Sequence, residues 1–126
     1  MADEPLADRI DALHERAAAE RAAFEPPADP PDEARAMGYL RDGVGPALSV
    51  YVEARTGEWV RFEPAEFARL ERAMNAWLEC YAGCYGAEID AEFTLRTAAE
   101  ALIDTHHVGD VARVLTKVPD RRSTDA

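Results

Sequence analysis

Two cysteines and two histidines supply the atom types of a tetrahedral zinc site. Cys80 and Cys84 are four residues apart, and His106 and His107 come in a later segment. Structural zinc usually takes its thiolates from closely spaced cysteines on turns, whereas these two fall within a helical pattern. A buried cysteine is also common as a small apolar side chain. The sequence therefore predicts no metal and no cofactor, and these four residues are the candidates if a metal is bound.

The densest group of titratable side chains lies between residues 104 and 110. Asp104, His106, His107 and Asp110 are of types that bind metals or transfer protons. A junction between two helices explains the same residues, because a histidine is favoured near a helix C-terminus and an aspartate at the start of a helix. No nucleophile–base pair lies nearby, so we assign no catalytic residue.

An aromatic stripe gives a second set of ligand-binding candidates. Trp77, Tyr81 and Tyr85 have helical spacing and could line a pocket for a ring, although such spacing is typical of a core. If the protein is a small enzyme or a ligand sensor, Tyr81 and Tyr85 should meet His106 and His107 in one concave pocket.

The clearest element that positions these residues is a helix from Pro64 to about Cys84. Glu63 is the expected N-cap, and Phe62 and Phe67 have the spacing of a hydrophobic staple. Seven apolar side chains then share one face. They are Phe67, Leu70, Met74, Trp77, Leu78, Tyr81 and Tyr85.

Two shorter helices follow this one. Thr94 is the expected cap of the first, whose apolar face also carries His106. A turn at residues 107–109 separates it from the last helix, which Asp110 should cap and Pro119 should end.

The N-terminal segment 3–24 has the pattern of one helix with a narrow apolar seam. Its seam residues follow a heptad spacing, and we assign them as the interaction residues. They are Leu6, Ile10, Leu13 and Phe24. Such a seam must pack either on the protein's own core or on a second copy. Prolines between residues 26 and 31 form an extended linker. We therefore divide the chain into a helix and linker at 1–31, a helical core at 32–119 and a polar tail at 120–126.

The region between the linker and Pro64 allows two interpretations. Asp32 should cap a short helix that runs to about Asp42 and stops at Gly43. A helix from Pro46 to Arg55 follows in the favoured interpretation, with residues 59–62 extended. The alternative is a β-hairpin near 48–62. The expected fold is thus mainly α, a small helical bundle with an N-terminal helical arm, or α+β with one short hairpin.

The composition bounds how large a core this chain can build. Among its 126 residues are 25 alanines but only 24 Leu, Ile, Val and Phe together, with a net charge of −11. That combination lies near the limit at which chains cease to fold. Only four of the 24 precede residue 40, so the core is expected downstream. Alanine favours helices, which suits a small helical domain.

The charged residues have an unusual composition. The chain has 25 acidic residues and 13 arginines but one lysine, Lys117. This composition, residues 45–57 (Gly-Pro-Ala-Leu-Ser-Val-Tyr-Val-Glu-Ala-Arg-Thr-Gly) and the stretch Tyr81–Gly86 resemble an uncharacterised family of small acidic domains from halophilic archaea. The resemblance implies that most acidic residues keep the protein soluble in concentrated salt, where the Debye length is about 3 Å.

The sequence also predicts where the protein is located and whether it binds membranes. No stretch without charged residues exceeds the ten of Gly43–Val52, whereas a membrane span needs about 20. The first residues lack the pattern of a signal peptide, and Cys80 and Cys84 are too far apart on a helix for a disulfide. We therefore expect a cytoplasmic protein that does not bind membranes.

The sequence favours a non-enzymatic interaction or assembly module that forms a homo-oligomer or binds another protein. The small enzyme or ligand sensor based on residues 104–110 is one alternative, and its ligand is undefined. A nucleic-acid-associated accessory protein is the other, since Arg113, Lys117, Arg121 and Arg122 form a basic cluster. The acidic chain argues against that partner.

Overall fold

The computed structural model describes residues 6–56 and 64–118, and it is built from helices. They are α1 (Leu6–Ala23), α2 (Glu33–Tyr39), α3 (Gly45–Thr56), α4 (Pro64–Gly83), α5 (Leu95–Thr105) and α6 (Val108–Thr116). A π-helical turn, Leu40–Val44, joins α2 directly to α3. No strand occurs in these ranges, and none of their helices has the length and apolarity needed to cross a membrane.

The mainly α bundle predicted from the sequence is confirmed. The alternative hairpin is wrong for residues 48–56, which lie in α3. The proposed second strand, residues 59–62, lies outside the described residues, as do the expected cap Glu63 and one half of the staple, Phe62.

Helix α4 is the central element of the bundle. It contacts α1, α2, α3, α6 and the π turn, because apolar side chains recur along it at helical spacing. Five large side chains of the predicted stripe are buried. They are Leu70, Met74, Trp77, Leu78 and Tyr81. The two outer members, Phe67 and Tyr85, are partly buried against the same core.

Helix α1 lies along α4 and makes its most extensive contacts there. Ile10 and Ala17 are fully buried in the core, and Leu13 and Phe24 are partly buried against it. The heptad seam therefore packs on the protein's own core, the first of the two possibilities that its spacing left open. The side chain of Leu6 lies outside the described set.

Ion pairs join both ends of α1 to neighbouring helices. Arg21 Nε lies 2.7 Å from Glu79 Oε1 on α4, and Arg9 forms two 3.1 Å hydrogen bonds to Glu53 on α3. Such exposed pairs are worth at most about 1 kcal/mol each, so burial of the apolar seam supplies most of the attachment.

The junction of α2 and α3 differs from the sequence prediction. Asp32 caps α2 as expected, accepting a hydrogen bond from the Arg35 backbone N–H. The helix does not stop at Gly43, because the chain continues through the π turn, in which the Gly45 N–H bonds to the Leu40 carbonyl. Gly43 is buried against the indole of Trp77. Its role is to admit that ring rather than to end a helix.

A polar stripe on α4 fixes the loop that leads to α5. Asn75 accepts a hydrogen bond from the Phe93 N–H at 2.9 Å and donates one to the Phe93 carbonyl at 3.0 Å. Glu71 and Glu79, one turn to either side, accept from the backbone N–H groups of Leu95 and Ala91. A loop without regular structure thus finds partners for its backbone on a helix, as buried backbone groups require.

The caps of the last two helices confirm one prediction and correct two. Thr94 caps α5 as expected. His106 is not on the apolar face of α5, because it adopts a left-handed conformation (φ 61°) that ends the helix, and it is exposed. His107, not Asp110, caps α6, with its Nδ1 accepting from the Gly109 N–H at 3.1 Å. Asp110 lies in the first turn of α6.

The contact at Gly43 makes a prediction about stability. A Cβ at this position would lie within 3.0 Å of three ring carbons of Trp77, so Gly43→Ala should lower the free energy of unfolding by about 1–3 kcal/mol. Gly38→Ala is the matched control, because the nearest atom, Arg41 Nη2, is 3.7 Å away and alanine favours a helix by about 0.5–1 kcal/mol. Urea unfolding measures both, and equal effects would contradict this role for Gly43.

The polar stripe on α4 makes a second prediction about stability. Asn75→Ala removes both hydrogen-bond partners of the Phe93 backbone, so we expect the free energy of unfolding, measured in urea, to fall by about 2–3 kcal/mol. Exchange of the Phe93 amide hydrogen should also accelerate relative to core amides. Arg72→Ala, an exposed substitution on the same helix, should stay within about 0.5 kcal/mol of the parent. Unchanged protection of Phe93 in Asn75→Ala would show that the loop is held by other contacts.

Candidate functional site

The two cysteines are buried, free thiols in the core. Burial raises the pKa of Cys80 to about 11 and also raises that of Cys84. A metal ligand needs the thiolate, which this environment disfavours. Within the described ranges, no group of three or more His, Cys, Asp and Glu side chains is arranged to hold a metal ion.

The histidine–aspartate segment forms the junction between α5 and α6. His107 caps α6, and Asp110 pairs with Arg113 at 2.8 Å. His106 and Asp104 are exposed. Each of these side chains thus has a local position at a helix end, as the helix-junction interpretation expects.

Tyr81 lies in the core instead, and Tyr85 is partly buried against it. The Tyr81 hydroxyl donates a 2.7 Å hydrogen bond to the Val118 carbonyl, and the Tyr81 and Tyr85 ring centroids are 5.3 Å apart. Tyr81 is buried, whereas His106 and His107 are exposed. The buried tyrosine and the two exposed histidines thus lie in different environments, which gives no support to the convergence expected for an enzyme or sensor.

Only two of the four residues of the basic cluster lie in the described part of the chain. Arg113 is engaged by Asp110, and Lys117 adopts a left-handed conformation at the end of α6. Arg121 and Arg122 lie outside the described residues. The described part of the cluster is therefore a paired arginine and a helix C-cap.

Trp77, by contrast, lies beside an open groove that the sequence did not predict. This arginine groove encloses about 380 Å³ between α1, α2 and the π turn, a volume within the usual range for small-molecule sites. Its charged lining residues are Arg16, Glu20, Arg35, Arg41 and Asp42, and its lining also includes two buried aromatic residues, Tyr39 and Trp77.

The guanidinium groups of the groove are engaged to different degrees. Arg41 binds both carboxylate oxygens of Asp42 and, together with the charge of Arg16, lowers the pKa of that carboxyl group. Arg35 donates to the Tyr39 hydroxyl at 3.3 Å and to the Glu25 carbonyl at 2.9 Å. Its Cζ also lies 4.6 Å from the centroid of the Phe24 ring, a cation–π contact.

A second, apolar surface lies at α5 and α6. A shallow groove of about 410 Å³ is lined mainly by apolar side chains from the π turn, α3, α5 and α6, among them Leu40, Leu48, Leu102 and Val108. Outside the lining of this groove, Ile103 on α5 is 68% exposed and Val114 on α6 is 56% exposed. Exposed single aliphatic residues are common, but here they occur on a chain with few aliphatic residues.

Sequence reasoning missed most residues of both surfaces. Arg16, Arg35 and Arg41 come from three elements with no common spacing, so no pattern links them. Ile103 does give a signal, because it lies outside the apolar face that Leu95, Ala99 and Leu102 define. Val114 has helical spacing with the apolar residues Val111 and Val118, yet its side chain is 56% exposed.

Comparison with known proteins assigns the chain to a family without assigning an activity. A family model described as "Domain of unknown function (DUF8055)" matches residues 4–120. That match includes α1 as well as the helices downstream of the linker. No curated protein and no solved structure matches the chain.

The buried thiols make a testable prediction about reactivity. In the native protein at pH 8, Cys80 and Cys84 should react with a thiol reagent far more slowly than in denaturant, because both are buried and protonated. The Cys84→Ala variant isolates Cys80, whose reaction should accelerate only as the pH approaches about 11.

The same pKa shift sets the sign of a stability effect. Since the folded state holds this proton more tightly, the free energy of unfolding should fall as the pH rises from about 9 to about 11. Rapid native reaction at pH 8 would contradict the burial of Cys80.

Proposed function

The chain belongs to the DUF8055 family of domains of unknown function, and we propose that it is a non-enzymatic assembly module that pairs with a second copy through α5 and α6. The exposed side chain of Ile103 carries this proposal, because a large aliphatic residue that is 68% exposed gains most from burial against a partner. The α1 seam, which first suggested self-association, is covered within the chain, so the proposed interface is a different surface.

The charge of the α5–α6 segment favours a second copy as the partner. Residues 95–118 carry three basic side chains, Arg96, Arg113 and Lys117, and three acidic ones, Glu100, Asp104 and Asp110. This segment is therefore neutral, although the whole chain carries −11. Two copies that meet here avoid the repulsion that would oppose contact between acidic surfaces. A basic partner would instead bind the rest of the chain, which is acidic.

Shape supports the same surface. The apolar groove is lined by the partly buried side chains of Leu102 and Val108, with the buried Leu40 and Leu48 beneath them. In a two-fold interface each copy contributes the same patch, so Ile103 of one copy has an apolar surface available on the other. Salt strengthens an apolar contact and screens the overall charge, which suits the concentrated salt that the composition favours. The two free cysteines agree with a reducing, cytoplasmic setting.

Light scattering on the full chain tests this proposal. We expect a mass twice the 13.9 kDa of one chain, with a dimer fraction that is retained or increased as the salt concentration rises. Ile103→Glu should weaken the dimer by at least about tenfold, because it places a charge in an apolar interface. Val114→Glu tests whether the interface extends along α6.

The matched control is Ala19→Glu, which adds the same charge at an exposed position on α1 and should leave the dimer intact. A monomer at every accessible protein and salt concentration would overturn the proposal. So would an equal effect of Ile103→Glu and Ala19→Glu.

A further inference from the structure

A histidine caps helix α6 through an atom that can accept a hydrogen bond in only one of its protonation states. The Nδ1 atom of His107 accepts from the Gly109 backbone N–H at 3.1 Å. The first N–H groups of a helix have no partner within the helix itself, so the Gly109 N–H depends on this side chain. An imidazole accepts through Nδ1 only while that nitrogen carries no proton, and in the protonated ring both nitrogens are donors. Protonation of His107 therefore removes the cap.

The local backbone holds the imidazole in this position. A Cβ at Gly109 would lie 3.1 Å from His107 Nδ1 and 3.2 Å from its Cε1, so the missing side chain lets the ring lie close to the helix start. The His107 N–H donates to Thr105 Oγ1 at 3.4 Å. Its carbonyl accepts from the N–H groups of Asp110 and Val111 at 3.0 and 3.1 Å. None of these backbone bonds involves the imidazole, so protonation changes the side-chain bond alone.

The titratable groups around this cap come from several elements. Helix α6 packs against α4, α5 and the π turn. The titratable and charged side chains on the adjoining segments and on α6 are Arg41, Asp42, Tyr81, Tyr85, Asp104, His106, Asp110 and Arg113. The two arginines each pair with an aspartate of their own segment, and burial raises the pKa of both tyrosines. Histidine is the side-chain type that ordinarily changes its charge between about pH 5 and 8, so a control must separate His107 from His106.

The first turn of α6 is part of the surface proposed for self-association. Val108, the first residue of α6, lines the apolar groove together with Leu40 and Leu102. The Cδ1 atom of Leu40 also lies 3.9 Å from the position of a Cβ at Gly109, so this turn packs on the π turn. Loss of a cap destabilises a helix start, and a positive imidazolium is unfavourable near the positive end of the helix dipole. Both effects loosen the turn that carries Val108.

We propose that His107 makes self-association through α5 and α6 dependent on pH, with the neutral imidazole holding the first turn of α6 in place for pairing and protonation releasing it. This inference rests on the proposed function and adds its regulation. Asparagine, serine and threonine cap helices well and do not titrate near neutral pH, whereas histidine loses its acceptor there. A mildly acidic solution should therefore favour the monomer.

The cap can be followed in a monomer, independently of pairing. In the ¹⁵N-labelled full chain with Ile103→Glu, solvent-exchange nuclear magnetic resonance measures the Gly109 amide hydrogen. After correction for the intrinsic rate, its exchange should be about threefold or more faster at pH 5.5 than at pH 7.5, since a cap is worth a factor of this order. His107→Asn in the same background is the matched control, because asparagine caps without titrating. An equal response to pH in that variant would overturn the role of the imidazole.

Light scattering of the full chain tests the effect on pairing. The dissociation constant of the dimer should be about threefold or more higher at pH 5.5 than at pH 7.5, whereas His107→Asn should show no such change. His106→Asn should respond as the parent does, because asparagine tolerates the left-handed conformation of that residue. His107→Ala has neither acceptor nor charge, so it should pair as weakly at pH 7.5 as the parent does at pH 5.5.

The two measurements separate failure of this inference from failure of the proposed function. A chain that is monomeric under every condition overturns self-association and with it this regulation, while Gly109 exchange still reports whether the cap responds to pH. Faster Gly109 exchange with an unchanged dissociation constant would overturn the connection between cap and interface. A tight dimer of His107→Ala at both pH values would assign the effect of pH to repulsion between charged histidines, which would overturn the capping mechanism.

Discussion

The contact between the Trp77 ring and the backbone at Gly43 constrains the arrangement of this bundle more than any other. Because Gly43 has no side chain, the chain can cross the indole without a break, and α2 continues through a π turn into α3. That turn brings Arg41 and Asp42 beside α1 and creates the arginine groove. π-Helical turns are rare and often occur at functional sites. The same contact thus connects the packing of the core with the shape of this groove.

The second constraint is the shortage of large aliphatic side chains. Alanines such as Ala17, Ala36 and Ala73 are fully buried and let helices approach closely, but each buries little area. Aromatic rings supply much of the remaining volume, with Phe24, Tyr39 and Trp77 arranged in sequence at ring distances of 6.2 and 5.8 Å. The polar stripe of Glu71, Asn75 and Glu79 adds hydrogen bonds to the backbone of the loop before α5.

The distribution of charge matters more for function than its total. A chain with a net charge of −11 nevertheless has a neutral α5–α6 segment and a groove with one excess positive charge. The proposed self-association depends on the first of these local departures, because neutrality lowers the repulsion between two copies. The groove is positive because residues distant in sequence meet there. The α5–α6 segment is neutral because its acidic and basic side chains are equal in number.

The sequence by itself determined the helices whose signals are local. Spacing of apolar residues placed α4, capping residues placed the starts of α2 and α5, and Pro46 favoured α3 over a hairpin. It also supplied Trp77 as a candidate for lining a pocket. Tertiary structure alone decided the π turn, the partner of the α1 seam and the arginine groove. Each of these depends on interactions between residues far apart in the chain, such as Gly43 with Trp77 and Arg16 with Asp42, and no local periodicity encodes them.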